Sequence, residues 1–153
     1  MSQWTHVSGC IRVDGLPELL TERMVRDVFG WPSTNPFLPH DKYFHGRNIP
    51  GGSEGTLQYE IIKAGDGLVM YTVAVWGDLR DFGADDTDAL VQWFTRIVTS
   101  GLLIRSASLL VEVEHGPAFV LLARHDRTVT QTPVRIETKE TGVAEVSACE
   151  VTP

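Results

Sequence analysis

The hydrophobic pattern changes period along this chain, and the succession of periods constrains the fold more than any composition does. In WTHVSGCIRVDG, Trp4 to Gly15, polar and apolar residues alternate. Val7, Ile11 and Val13 fall on one face with Gly9, and Trp4, His6, Ser8, Cys10 and Arg12 fall on the other. Side chains of a strand point alternately to its two faces, so this segment reads as a half-buried strand. LPELLTERMVRDVFG then brings Leu16, Leu19, Leu20, Met24, Val28 and Phe29 round at helical spacing. Pro17 suits a first helical turn and Gly30 a C-terminal cap, so an amphipathic helix is expected there.

From Trp31 to Gly55 the text is irregular, with Pro32, Pro36, Pro39 and Pro50 interrupting any period. A connection this long inside a compact domain is often functional, which makes residues 31–55 a candidate lid or partner-binding loop. Two strands are expected at 56–63 and 68–79, joined by the tight-turn sequence AGDG. ADDTDALVQWFTRIVTSG reads as a second helix, capped by Asp86 or Thr87, burying Leu90, Phe94, Ile97 and Val98, and stopped by Gly101. IRSASLLVEVEHGPAFVLLARH gives two strands turning at His115, Gly116 and Pro117, and two more are expected around Val129 to Thr138 and Val143 to Val151. The order β-α-β-β-α-β-β-β-β predicts an α+β fold: a ferredoxin-like antiparallel sheet with two helices on one face and extra C-terminal strands. A different sheet order built from the same elements is the alternative. One domain over 1–153 is expected, with 128–153 as a C-terminal strand extension.

A chain of 153 residues is large enough to bury roughly two-thirds of its unfolded surface without staples. At 42% apolar and 22% charged it belongs with globular proteins and away from the disordered class. No apolar run reaches a membrane span, and MSQWTHVSGC lacks the regions of a signal peptide, so a cytoplasmic protein is expected. Cys10 and Cys149 have no metal-ligand spacing; they read as reduced thiols or as a disulfide between terminal strands. A formal charge of −7 argues against binding to a duplex nucleic acid. It does not forbid a small anion held locally by amides and arginines, and it suits a basic protein partner.

If helices cover the face bearing Val7, Ile11, Val73, Val75, Leu79, Leu109, Val111 and Val113, alternation assigns the opposite face. It holds Trp4, His6, Ser8 and Arg12 on the first strand, Thr72, Trp76, Asp78 and Arg80 on the third, and Ser106, Ser108, Glu112 and Glu114 on the fourth. Aromatic groups beside arginine are typical of binding surfaces. The competing expectation is that the C-terminal strands cover this face and make its tryptophans core.

IPGGSEGTLQYE is the second concentration. Consecutive amides of Gly51, Gly52, Ser53 and Gly55 could converge on an anion, with the Glu54 carboxylate accepting from ribose or amide groups. A tight Gly-rich turn into a strand is the alternative. No GxGxxG or P-loop pattern is present, and the next element reads as a strand where both need a helix. In WGDLRDFGADD, Arg80 is the best available anion clamp, unless Asp78 or Asp81 merely pairs with it. THVS supplies one H-x-S half-motif resembling that of two-histidine phosphoesterases, and the chain has no second. His40, Asp41 and His45, or Glu112, Glu114 and His115, are low-specificity metal candidates that read better as solvated residues. No G-x-S-x-G elbow is present and neither cysteine has a neighbouring histidine in sequence, so no catalytic residue, metal or cofactor is assigned.

The blocks WTHVSGCIRVDG, IPGGSEGTLQYE, YTVAVWGDLRDFG, WF and IRSASLLVEVEHG resemble a family of small proteins of tailed bacteriophages and prophages. The resemblance implies a small accessory protein working in the host cytoplasm, of the kind that antagonises a host defence by binding a signal nucleotide or an effector; it carries no activity over. The first expectation is therefore a non-catalytic protein that sequesters a small anionic, nucleotide-like ligand, with Trp76 or Trp4 stacking the base and Arg12 or Arg80 meeting phosphate. The second is an acidic interaction module, inhibitor-like or immunity-like, docking a basic protein partner. A phosphodiesterase using His6 stands third. An open sheet face would also favour a homo-oligomer.

Overall fold

The computed structural model describes residues 2–16, 19–30, 49–64, 69–124, 126–138 and 144–147. Seven strands and two helices lie within them: β1 Trp4–Gly15, α1 Glu22–Phe29, β2 Gln58–Ala64, β3 Val69–Arg80, α2 Thr87–Val98, β4 Leu103–Val113, β5 Ala118–Ala123, β6 Val129–Thr138 and β7 Ala144–Ser147. The fold is α+β. Strands β2-β3-β1-β4-β5-β6 form an antiparallel sheet in that order, and the short β7 pairs with the far side of β6. The AGDG turn, Pro17, residues 31–48, His40, Asp41, His45 and Cys149 lie outside the described residues.

The expected strand alternation carries the core. Val7, Ile11 and Val13 of β1, Val73, Val75 and Leu79 of β3, and Leu109 and Val111 of β4 are all buried in one cluster, joined by Phe119 and Leu121 of β5. Val25 and Phe29 of α1 enter the same cluster with Leu90, Trp93, Phe94 and Ile97 of α2. Trp93, absent from the expected core, is fully buried and donates its indole N–H to the Phe29 carbonyl at 2.8 Å. Thr5 is buried without cost because its hydroxyl donates to the Phe82 carbonyl.

Both helices differ in detail from their sequence patterns. α1 begins only at Glu22, because Thr21 caps it: its side chain accepts from the Met24 amide at 3.3 Å. The preceding residues form a turn in which the Leu19 and Leu20 amides both donate to the Leu16 carbonyl at 3.2 Å. Leu16, Leu19 and Met24 are therefore exposed, and the buried stripe of the helix is Val25 and Phe29. Gly30 takes the C-cap as expected, at φ 98°. Ahead of α2, Asp86 occupies the N-cap but its carboxylate accepts from Gly83 at 3.0 Å, and the Thr87 hydroxyl donates to the Ala84 carbonyl at 2.7 Å. Neither side chain caps a helical amide, and the C-cap of α2 is Thr99, not Gly101.

Candidate functional site

The face of the sheet opposite the core is open to solvent, and its residues can be placed in rows from the strand registers. Trp4 faces Arg80. His6 lies between Asp78 of β3 and Glu112 of β4, and the row continues to Ala118 and Val134. Ser8 lies between Trp76 and Leu110, with Gln58, Val120 and Thr132 completing that row. Cys10 lies between Ala74 and Ser108, flanked by Glu60, Leu122 and Thr130. Arg12 lies between Thr72 and Ser106, with Ile62 beyond Thr72.

The C-terminal strands widen the sheet beyond β4 and leave this face uncovered. Three large apolar side chains on it are solvent-accessible: Ile62 at 47%, Trp76 at 45% and Leu122 at 42%. Cys10 is an exposed free thiol near the middle of the face. Sequence reasoning did not name Leu110, although alternation with Leu109 and Val111 puts it outward, and it missed Ile62, Val120 and Leu122, since runs such as AFVLLA do not say which of two adjacent apolar residues faces outward; for these the strand registers say so.

Charge is unevenly spread. One end carries Asp78, Glu112 and Glu114; the Glu114 carboxylate accepts from the Trp4 amide at 3.2 Å, and Glu112 has no ion pair among the described residues. The other end carries Arg12, one of whose terminal nitrogens contacts Met70 Sδ at 3.5 Å while its Nε is buried without a partner among the described residues. A bulge opposite Arg12 and Val13 accommodates Arg105, which pairs with Asp14 at 3.4 Å. Arg124 follows β5 directly.

The Gly-rich stretch is tied to the end of β3 by backbone hydrogen bonds. Gly51 bridges Thr56, the Gly52 amide donates to the Gly55 carbonyl at 2.9 Å, and the Ser53 amide donates to the Arg80 carbonyl at 2.8 Å. In return the Arg80 amide donates to the Glu54 carbonyl at 2.9 Å, and the Arg80 guanidinium meets the Glu54 carboxylate at 2.7 Å. The hydrogen bond to Glu54 raises the guanidinium pKa above its ordinary value, and the Ser53 hydroxyl donates to Asp81 at 2.5 Å. A Cβ at Gly52 would stand 2.1 Å from the Arg80 carbonyl oxygen; one at Gly55, whose φ is +78°, would stand 2.0 Å from that of Asp78. The glycines let one backbone lie against another. Two of the amides expected to cradle an anion are thus already bonded, and the expected anion clamp Arg80 holds Glu54.

His6 Nδ1 lies 2.6 Å from Asp78 Oδ1. A carboxylate that orients an imidazole is an arrangement general-base catalysis uses, but the side chains are 51% and 70% exposed, so water competes for both. Ser8 lies two positions along the strand on the same face, and the hydrogen bond of the ring goes to Asp78. The β4 residue facing His6 is Glu112; the other described imidazole near it, His115, lines the same hollow from the β4–β5 turn but is followed by Gly116 and Pro117, so it completes no second H-x-S pattern. The described residues also contain no group of three or more His, Cys, Asp or Glu side chains placed to hold a metal ion. An open hollow of about 550 Å³ lies between His6, Glu112, Glu114, Pro117, Pro133 and Arg135. No helix among the described residues is long and apolar enough to cross a membrane. No protein-family model matches the chain, and neither does any curated protein or solved structure.

Proposed function

We propose that the protein is a non-catalytic interaction module of the ferredoxin-like kind, which docks a protein partner on its open sheet face. The fold part rests on connectivity. The crossovers β1-α1-β2 and β3-α2-β4 each skip one strand, which is what a split β-α-β unit means. They run in opposite strand directions and step in opposite senses across the sheet, so the right-handed rule puts both helices on one face and leaves the other free.

The functional part is carried by one observation: Trp76, Ile62 and Leu122 are exposed on that free face, and Leu110 and Val120 lie between Trp76 and Leu122 in the registers. Scattered surface hydrophobics need no explanation, whereas several on one flat face flanked by charges are the mark of a docking surface. Trp76, Ile62 and Leu122 lie on separate strands outside the hollow at the His6 end, which argues for a protein, since small ligands favour concave pockets that enclose most of their surface. Asp78, Glu112 and Glu114 favour basic groups on the partner. In the setting that the phage-protein resemblance implies, the module would act on an effector inside the host cell.

The test is a photo-reactive benzoylphenylalanine placed at Ser8 or Leu122, with one at Arg23 on exposed α1 as control. A protein captured from the first two positions and not from the third, and lost in Trp76→Arg, is the expected outcome. Equal capture from all three positions would overturn it. A small anionic, nucleotide-like ligand is the second reading, favoured by Arg12, on the same face as Trp76, whose buried Nε has no hydrogen-bond partner among the described residues. A nucleotide at a hundred times its dissociation constant would add about 2.7 kcal/mol to stability, a clear rise in melting midpoint.

A further inference from the structure

We infer that the occupant of the open face is a second copy of this chain, packed face to face about a two-fold axis perpendicular to the strands. The inference rests on the reading of that face as a docking surface and names what docks there.

Two observations point to it. The first is charge. The face is acidic at the His6 end, with Asp78, Glu112 and Glu114, and carries Arg12 at the other, where Asp14 is paired with Arg105. Two copies related by an axis along the strands would lay acid on acid. An axis across the strands inverts one copy end for end, so Glu112 comes over Ser106 of the second copy, beside its Arg12. A two-fold interface makes each such contact twice.

The second is shape. With the axis midway between the Ser8 and Cys10 rows, these rows lie on each other. The Ser8 row carries the bulky Trp76 and Leu110; the Cys10 row carries Ala74 and Ser108 at the matching strands. Trp76 therefore stands over Ala74 of the second copy and Leu110 over its Ser108, large onto small, as packed sheets require. Six strands about 4.8 Å apart and five rows about 6.8 Å apart give a face of roughly 650 Å². Doubled, that reaches roughly 1,300 Å², within the range of stable specific interfaces.

The experiment is sedimentation of the full chain across micromolar concentrations, where a species of twice 16.9 kDa is expected. Glu112→Arg and Arg12→Glu alone should each weaken the dimer at least about tenfold. The double swap should restore it, because the exchanged charges meet across the axis; that rescue separates a broken contact from a misfolded variant. Cys10 provides a second readout. In a Cys149→Ser background, a short bismaleimide should link two chains through Cys10, and Trp76→Arg should abolish the link. A chain that stays monomeric, or a dimer indifferent to both single swaps, overturns the inference. If monomers still yield a captured protein from Ser8 and Leu122, the open face remains a docking surface and only the identity of its occupant falls.

Discussion

An alanine at position 52 would bring its Cβ 2.1 Å from the Arg80 carbonyl oxygen and 2.7 Å from the Arg80 amide nitrogen. Both are backbone atoms held by ladder and loop hydrogen bonds, so the loop itself must move. Gly52→Ala is expected to destabilise the protein by about 1–3 kcal/mol, read from the denaturant midpoint. Gly101, with nothing within 4 Å of an added Cβ, is the control: Gly101→Ala should be neutral or slightly stabilising. Equal losses at the two positions would show that backbone approach is not what glycine serves at 52. The sequence GGSEG could not reveal this, because the atoms that exclude a side chain belong to a strand more than twenty residues away. A glycine cluster written for an anion and one written for a neighbouring strand look alike in text.

At the scale of elements, α1 illustrates how little an eight-residue helix owes to its own propensity, since isolated helices of that length are marginal in water. It is held by burial of Val25 and Phe29 and by donors that reach its last carbonyls: Trp93 of α2 to Phe29, and the Tyr59 hydroxyl of β2 to Gly30 at 2.7 Å. The Phe29 ring lies 5.4 Å from that of Tyr59 and 5.9 Å, edge-on, from that of Trp93. Burial pushes the Tyr59 phenol above its ordinary pKa, with Arg26 opposing. A raised value means that this contribution is fully present below the unfolded pKa and is lost as pH climbs through the folded one. Tyr59→Phe should therefore cost about 1 kcal/mol near neutrality, and should flatten the fall in stability above about pH 10. Denaturant midpoints at the two pH values check both parts; an unchanged alkaline slope would refute the second. The strands were legible because one buried face imposes a strict two-residue period. The start of α1 was not, because Leu16 and Leu19 continue a helical spacing that the Thr21 cap overrides. The outward set on β5, Val120 and Leu122, needed the register.

Across the whole molecule the core is lopsided. β1, β3 and β4 contribute most of its strand residues, β5 adds Phe119 and Leu121, and among the described side chains of β6 Val129 packs against it. Amides of β1, β3 and β4 should exchange with solvent only on global unfolding, while those of β6 should exchange through local opening and at measurably higher rates. Equal protection across the sheet would mean that it opens as one unit. β1 is central, yet its two neighbours, β3 and β4, come much later in the chain and end at Arg80 and Val113. During synthesis β1 therefore leaves the ribosome with both of its edges unsatisfied. At about 5–20 residues per second, roughly a hundred residues of waiting amount to about 5–20 s before the second edge can close. For that interval Val7, Ile11 and Val13 form an apolar ribbon with open hydrogen-bonding sides, and they are where a nascent-chain chaperone would hold on to this protein.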